Sequence, residues 1–127
     1  MVKNILVIDN DIDLEEILKQ ILASESFELN FYEEVDNIVN IVLDLNPSII
    51  LLDYNLNGDN GGKLCQQLKA DERTKSIPVI LFSAFPKLIY ALENYGFDAF
   101  IEKPFDVDEF LLTVRTLVKL ADSQKNI

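Results

Sequence analysis

The sequence predicts an α/β fold, in which five parallel strands form a doubly wound sheet between two layers of helices. Short apolar runs with no alternating polar residues, such as residues 5–8 and 49–52, are typical of strands buried on both faces. Amphipathic helical stretches separate these runs along the whole chain. Right-handed crossovers allow few ways to wind this pattern. The length of 127 residues fits one such three-layer domain.

The strands are predicted from the apolar runs and the turn residues that bound them. In chain order they cover residues 3–8, 27–32, 49–52, 77–82 and 99–102. Pro78 lies near the start of the fourth strand, where proline is tolerated. Asn and Gly dominate residues 55–62, which we therefore predict to be a loop.

The helices are predicted from apolar residues that recur at helical spacing after each strand. They begin near residues 14, 36, 64, 86 and 106. In the first helix the residues expected to face inward are Leu14, Ile17, Leu18, Ile21 and Leu22. Asp11 or Asp13 is expected to cap this helix, and Asp106 with Glu109 to cap the last one. The second helix is expected to end at Asn46-Pro47, the fourth at Gly96, and residues 122–127 to form a polar tail.

The composition excludes several classes of function. The net charge of −11 argues against direct binding to nucleic acid or to an anionic membrane surface. The chain has one cysteine, Cys65, and no histidine, which excludes an internal disulfide and catalysis by Ser/His or Cys/His pairs. No apolar run approaches a membrane span, and no signal-peptide pattern opens the chain. We therefore expect a cytoplasmic protein.

Polar residues follow four of the predicted strands. Asp9-Asn10-Asp11 follow the first, Asp53 the third, Ser83 the fourth, and Lys103 closely follows the fifth. Each residue alone has a structural explanation, as a helix cap, a backbone partner or a surface lysine. Together they are expected to meet at one edge, because the carboxyl ends of parallel strands share an edge where open α/β sheets bind ligands.

Carboxylates, a hydroxyl and an amine in one place fit phosphoryl chemistry. Clustered carboxylates repel one another unless a cation joins them, and Mg²⁺ prefers oxygen ligands. A carboxylate such as that of Asp53 can attack phosphorus to give an aspartyl phosphate. A metal ion and the Lys103 ammonium would neutralise the phosphoryl oxygens, and the Ser83 hydroxyl could respond to their presence. The pattern therefore predicts a phosphoryl acceptor.

The chain closely resembles the receiver domain of bacterial two-component response regulators over residues 3–120. The resemblance is carried by four motifs in order, ILVIDND at residues 5–11, ILLDYNL at 50–56, VILFSA at 79–84 and FIEKPF at 100–105. It implies a flavodoxin-like sheet with strand order 2-1-3-4-5 and a receiver domain over residues 1–121. It also implies a signalling domain that chemically changes only itself, not an enzyme with a separate substrate.

The resemblance implies an acceptor with a magnesium site beside it. Asp53 matches the phospho-acceptor, and Asp9 and Asn10 fall at the positions of the family's acidic pair. Asn55 would offer its backbone carbonyl to Mg²⁺. Asn10 departs from the family, because an amide oxygen coordinates without a charge, so we expect Mg²⁺ to bind weakly. Asp11 is a further candidate ligand, unless it is occupied as a helix cap.

The resemblance also implies a switch. Ser83 matches the switch hydroxyl, Phe100 the switch aromatic, and Lys103 the lysine that pairs with the phosphoryl group. Lys103-Pro104 would be a cis peptide, and Gly61 matches the glycine that closes the loop after the acceptor. The phosphoryl group would come from a histidine kinase or a phosphotransfer protein. The fourth helix, fifth strand and fifth helix would then signal to a downstream protein.

Two further departures concern the output face. Leu56-Asn57 stands where the family often has Met-Pro, and the stretch from Ser83 to Lys103 is about two residues short for the family. Candidates for an unusual apolar patch on that face are Leu88, Ile89, Tyr90 and Phe97. An alternative is that most of these residues belong to the core.

Three functions remain open from the sequence. The first is a phospho-receiver, either standing alone or cut from a longer protein. The second is a pseudo-receiver, an interaction module without useful phosphorylation, which Asn10 favours. The third is a phosphatase similar to the haloacid dehalogenase superfamily, with Asp9 and Asp11 as its first motif. That reading leaves Asp53 unexplained, and only Asp106 and Asp108 follow the lysine as candidates for its last acidic motif. Whether the domain forms a homodimer stays open.

Overall fold

The computed structural model describes residues 3–56, 59–84 and 95–125 of the chain. Strands and helices follow one another nearly as the sequence predicts. Their bounds are β1 Lys3–Ile8, α1 Ile12–Leu22, β2 Phe27–Tyr32, α2 Ile38–Leu45, β3 Ile49–Asp53, β4 Asn55–Leu56, β5 Asp59–Asn60, α3 Gly61–Ala70, β6 Val79–Ser83, β7 Ala99–Glu102 and α4 Val107–Lys125. The helices described here include none long and apolar enough to span a membrane.

The five-stranded sheet has the order β2-β1-β3-β6-β7, and every pairing in it is parallel. The predicted α/β class and the predicted strand order are therefore confirmed. Alternate residues of the central strands enter two separate cores. Leu6 and Leu52 belong to the core that includes residues of α2 and α3. Ile5 and Leu51 belong to the core that includes residues of α1 and α4.

Helix α1 begins and packs somewhat differently from the prediction. Asp11, not Asp13, is its N-cap, and Oδ1 of Asp11 accepts a hydrogen bond from the Asp13 backbone N–H at 3.0 Å. The buried row consists of Leu14, Leu18 and Leu22, spaced four residues apart. Ile17 is 48% exposed, so its predicted inward position is wrong. It precedes Leu18 by one residue, which places it about 100° around the helix from that row.

The segment after β3 also differs from the prediction. Residues 55–56 pair as a short antiparallel strand with residues 59–60, although the sequence predicts a loop here. Helix α3 begins at Gly61, capped by Asn60, whose Oδ1 accepts from the Lys63 N–H at 2.9 Å. The prediction missed this start because residues 60–62 carry no apolar side chain. Gly61 is required here, since a Cβ at this position would lie 2.2 Å from the Asp53 carbonyl oxygen.

The ends of the other helices are set by local polar contacts. Helix α2 starts at Ile38, two residues later than predicted, with Asn37 as its cap. Asn46 ends it in the left-handed region with φ of 49°, as the Asn-Pro pair predicts. Helix α4 is capped by Asp106, whose Oδ1 accepts from the Glu109 N–H at 3.0 Å. It continues through Lys125, so the predicted tail beginning at Asp122 is helical over its first four residues.

The predicted fourth helix, residues 86–95, lies outside the described residues except for its last position. The same is true of the patch residues Leu88, Ile89 and Tyr90. Gly96 follows with φ of 83°, a conformation that favours glycine.

Lys69 joins helix α3 to the last two strands of the sheet. Its Nζ donates to the carbonyl oxygens of Lys75 and Ile77, at 3.1 and 2.8 Å, and to Oδ2 of Asp98 at 2.8 Å. Oδ2 of Asp98 also accepts from the backbone N–H of Val79, the first residue of β6, at 2.8 Å. Asp98, the residue before β7, is therefore bonded to both α3 and β6.

Replacing Lys69 with methionine is expected to lower the free energy of unfolding by about 2 kcal/mol, because hydrogen bonds to a charged group are lost while the aliphatic stem is kept. Urea unfolding at neutral pH measures the change. Lys63→Met is the matched control, since Lys63 is an exposed lysine of the same helix. Equal effects of the two substitutions would contradict this role for Lys69.

Candidate functional site

The candidate site lies at the carboxyl edge of the sheet, where the strands end in polar residues. Asp9 follows β1 directly, Asp53 ends β3, Ser83 ends β6, and Lys103 follows β7. Because all these strands are parallel, the four residues lie at the same edge. Asp9 and Ser83 are fully buried, and Asp53 is 6% exposed. Carboxylates this deeply buried require charged or hydrogen-bonding partners.

The ammonium group of Lys103 contacts both buried carboxylates. Its Nζ lies 2.6 Å from Oδ2 of Asp9 and 3.6 Å from Oδ2 of Asp53. The same Nζ lies 5.8 Å from the centre of the Phe82 ring, within reach of a cation–π attraction. The Lys103 backbone N–H donates to the Ser83 carbonyl oxygen at 2.9 Å, which fixes where the side chain begins. The Lys103-Pro104 peptide is cis, as the resemblance implies.

The second oxygen of each carboxylate is held by the backbone. Oδ1 of Asp9 accepts from the Asp11 N–H at 2.9 Å, and Oδ1 of Asp53 accepts from the Asn55 N–H at 3.3 Å. Both residues therefore present Oδ2 to Lys103. This arrangement keeps the two carboxylates near each other in a poorly solvated place.

The pKa of Asp53 is raised from 3.8 to about 6. Burial is the largest cause, because it disfavours the charged form, and repulsion from the Asp9 carboxylate adds to it. Attraction to Lys103 and the hydrogen bond from Asn55 lower the pKa by less. Two carboxylates beside one ammonium leave an excess of negative charge, which a further cation would relieve.

Of the two positions where the family has acidic residues after the first strand, only the first, Asp9, carries an acid here, and the second is Asn10. Asn10 is exposed beside Asp9. Asp11 is also exposed, and its carboxylate caps α1. Within residues 3–56, 59–84 and 95–125, no group of three or more carboxylate, imidazole or thiol side chains is placed to hold a metal ion. The oxygen atoms at the site, those of two buried carboxylates among them, are of the kind that hard cations such as Mg²⁺ prefer.

Ser83 and Phe100 lie on the neighbouring strands β6 and β7. Ser83 pairs with Glu102 in the register of β6 and β7, and Phe100 pairs with Leu81. The Phe100 ring is partly buried against the core that includes residues of α3, with its centre 6.2 Å from that of Phe97. Their roles as switch hydroxyl and switch aromatic stay predictions.

Sequence reasoning missed an apolar cavity of about 440 Å³ beside Lys103. Residues of α1 and of the segment after β7 line it, among them Leu14, Ile17, Ile21, Pro104, Phe105 and Val107. The sequence does carry a signal for this cavity. Besides the buried row of leucines, α1 carries the apolar residues Ile17 and Ile21, and both line the cavity. Exposed Ile17 belongs to the wall of this cavity.

Comparisons with known proteins agree with this fold. Residues 5–115 match the response regulator receiver domain family. The chain is 33% identical over 122 residues to the DNA-binding dual master transcriptional regulator RpaA of Synechocystis, covering 93% of this chain and 50% of RpaA. It is 32% identical over 127 residues to the DNA-binding response regulator MtrA of Mycobacterium tuberculosis, covering 98% of this chain and 54% of MtrA. The signal receiver domain of an HD domain-containing protein from Pseudomonas fluorescens Pf-5 has a TM-score of 0.85 at 22% identity, covering 98% of this chain and 93% of that one.

The chain therefore belongs to the response regulator receiver domain family, the class that the fold and the motifs indicate. It spans about half the length of the curated relatives it matches. Receiver domains are signalling modules of two-component systems, so the resemblance found in the sequence is confirmed at the level of the family.

The raised pKa of Asp53 predicts a pH-dependent effect of Asp53→Asn on stability. The folded protein binds the carboxyl proton of Asp53 more tightly than the unfolded chain does. The contribution of protonated Asp53 to the free energy of unfolding is therefore fully present below about pH 3.8. It is lost as the pH rises through about 6. We expect Asp53→Asn to stabilise the protein by up to about 3 kcal/mol at pH 7.5, and by much less at pH 4.

Chemical unfolding at several pH values tests this prediction. Asp44→Asn is the control, because it removes the same charge from an exposed position. The gain for Asp53→Asn should grow between pH 4 and pH 6 and then level off. A gain that is equal at all pH values would contradict the burial of an ionised Asp53.

Proposed function

We propose that Asp53 accepts a phosphoryl group from the phosphohistidine of a histidine kinase or phosphotransfer protein. The observation that carries the proposal is the contact of one ammonium, that of Lys103, with two buried carboxylates, those of Asp9 and Asp53. Family membership supports it, since phosphorylation is the general role of receivers in two-component systems. An ion pair that only stabilised the fold would need one carboxylate. Here two carboxylates share one ammonium, so part of their negative charge is left without a positive partner.

The transfer would be a substitution at phosphorus. A carboxylate oxygen of Asp53 forms the new O–P bond, while the N–P bond of the phosphohistidine breaks and the imidazole leaves with the bonding electron pair. With a pKa of about 6, Asp53 is mostly ionised at neutral pH and able to act as the nucleophile. Lys103, held by Asp9, would neutralise charge on the phosphoryl oxygens.

The residues that would hold Mg²⁺ are Asp9, Asp53, the side chain of Asn10 and the backbone carbonyl of Asn55, with Asp11 available only if it leaves its cap. The ion would supply positive charge to the phosphoryl oxygens. Because Asn10 is neutral, the proposed site has one formal charge fewer than a site with an acid at that position. Weak Mg²⁺ binding is therefore part of the proposal.

The phosphorylated state would favour one of two packings of the domain and so control a downstream protein or a fused output. The DNA-binding activity in the names of RpaA and MtrA belongs to those longer proteins. A pseudo-receiver is the second candidate, favoured by Asn10 and by the use of Asp11 as a helix cap. A phosphatase does not account for Asp53, whose side chain is buried against Lys103.

Phosphorylation by a small donor tests the proposal directly. Incubation with Mg²⁺ and phosphoramidate should add one labile phosphoryl group, detected as intact mass. The adduct should be absent in Asp53→Asn and present in the exposed control Asp44→Asn. No adduct in the wild type over a wide range of Mg²⁺ would support the pseudo-receiver instead. Turnover of phosphomonoesters that survives Asp53→Asn would contradict both.

Restoring an acid with Asn10→Asp should tighten Mg²⁺ binding about tenfold or more, because one added charge about 4 Å from a divalent ion contributes about 2 kcal/mol even at the dielectric constant of water. Isothermal titration calorimetry measures the affinity. Asn40→Asp is the control, since it adds the same charge at an exposed position of α2. Equal affinities in the wild type and Asn10→Asp would show that residue 10 does not contact the metal.

A further inference from the structure

A pair of buried tyrosines joins the acceptor end of β3 to the approach to β7. Tyr54, the residue after Asp53, is 7% exposed, and Tyr95 is 5% exposed. Their hydroxyl oxygens lie 3.4 Å apart, at the outer limit of a hydrogen bond, and their ring centres lie 6.0 Å apart. Neither residue carries a role in the proposed phosphoryl chemistry.

Gly62 makes room for the Tyr95 ring on helix α3. A Cβ at position 62 would lie 2.6 Å from carbon atoms of that ring, a distance that real side chains do not adopt. Glycine in a helix costs stability relative to alanine. At position 62 this loss of helix stability is offset by the packing of the Tyr95 ring, for which only glycine leaves room.

The segment 95–98 is held along the same face of α3 at two points. Tyr95 packs on Gly62 in the first turn, and Asp98 forms an ion pair with Lys69 in the last turn. Positions 62 and 69 are seven residues apart, which places them on one face of the helix. This segment leads directly into β7, which carries Phe100 and is followed by Lys103.

The main chain of Tyr54 is fixed on both sides. Its N–H donates to the Phe82 carbonyl oxygen at 2.8 Å, and its carbonyl oxygen accepts from the Gly61 N–H at 3.0 Å. A change at Asp53 therefore has little freedom to move the backbone of residue 54. The Tyr54 side chain, which meets Tyr95, is the part of this residue that extends toward segment 95–98.

We infer that the Tyr54–Tyr95 contact, seated on Gly62, is a transmission contact through which the state of Asp53 reaches segment 95–98 without passing through Ser83. The inference rests on the proposed phosphorylation of Asp53. It adds a route along β3 and α3 to the predicted switch on β6 and β7.

Fluorine NMR of protein labelled with 3-fluorotyrosine tests the route. The chain has four tyrosines, which single Tyr→Phe variants assign. On treatment with phosphoramidate and Mg²⁺, the Tyr95 resonance should move in the wild type and in Ser83→Ala. It should stay in place in Tyr54→Leu, which removes the ring and its hydroxyl. Any shift of Tyr32 should be the same in all three proteins, because its carbonyl oxygen accepts from the Asp9 N–H and its link to the site does not run through Tyr54 or Ser83.

Intact mass measured on the same samples separates the outcomes. A Tyr95 resonance that does not move although the adduct forms would overturn the inference and leave the proposed function standing. A shift of equal size in Tyr54→Leu would overturn it as well. Failure to form an adduct would overturn both the inference and the proposed function.

A double-mutant cycle tests the packing of Tyr95 on Gly62 and requires no phosphorylation. Gly62→Ala should lower the Tm by a few degrees in the wild type, because the new methyl group displaces the Tyr95 ring. In the Tyr95→Ala background, the same substitution should raise the Tm, since alanine is the better helix former. If Gly62→Ala changed the Tm in the same direction in both backgrounds, the packing of Tyr95 on Gly62 would be overturned, and with it the Tyr54–Tyr95 contact.

Discussion

The Lys103 ammonium group, in contact with the buried carboxylates of Asp9 and Asp53, is the interaction on which the site depends. It joins the ends of β1 and β3 to the segment after β7, residues that are far apart in the chain. Burial makes these charges costly, and Lys103 offsets part of the cost for both carboxylates. The remaining negative charge favours a cation in this pocket, and the proposed phosphoryl transfer depends on that added positive charge.

The backbone near Asp53 is packed too closely to adjust easily. Gly61 lies against the Asp53 carbonyl, and the N–H and carbonyl groups of Tyr54 are both hydrogen-bonded within the fold. Any response to a change of charge at Asp53 must therefore come mainly from side chains. Lys103, which follows β7, and the Tyr54–Tyr95 pair both link this rigid centre to the region of β7.

The sequence predicts the sheet well because strands buried on both faces leave a continuous apolar signal. The bounds of β1, β2 and β7 agree with the prediction residue for residue, and the strand order follows. Helix details were less predictable, since spacing alone does not say which apolar row contacts the sheet. For this reason the spacing predicts an inward position for Ile17, which is in fact exposed. The start of α3 was missed because a polar cap and two glycines open it.

For the site, the sequence predicts which residues share an edge but not how they pair. The approach of Lys103 to Asp9, closer than to Asp53, depends on the path of the chain after β7. The choice of Asp11 over Asp13 as the cap of α1 is likewise settled by local geometry. The contact of Tyr54 with Tyr95 links residues 41 positions apart and leaves no local pattern in the sequence.

Asp53 is a buried carboxylate held short of positive charge beside Asp9 and Lys103. Carbon-13 NMR of the aspartate side-chain carboxyl groups, assigned with Asp53→Asn, measures its titration with and without Mg²⁺. We expect a pKa of about 6 for Asp53 without the ion, and a lower one at saturating Mg²⁺. Titration near the ordinary value of 3.8, unchanged by Mg²⁺, would contradict it.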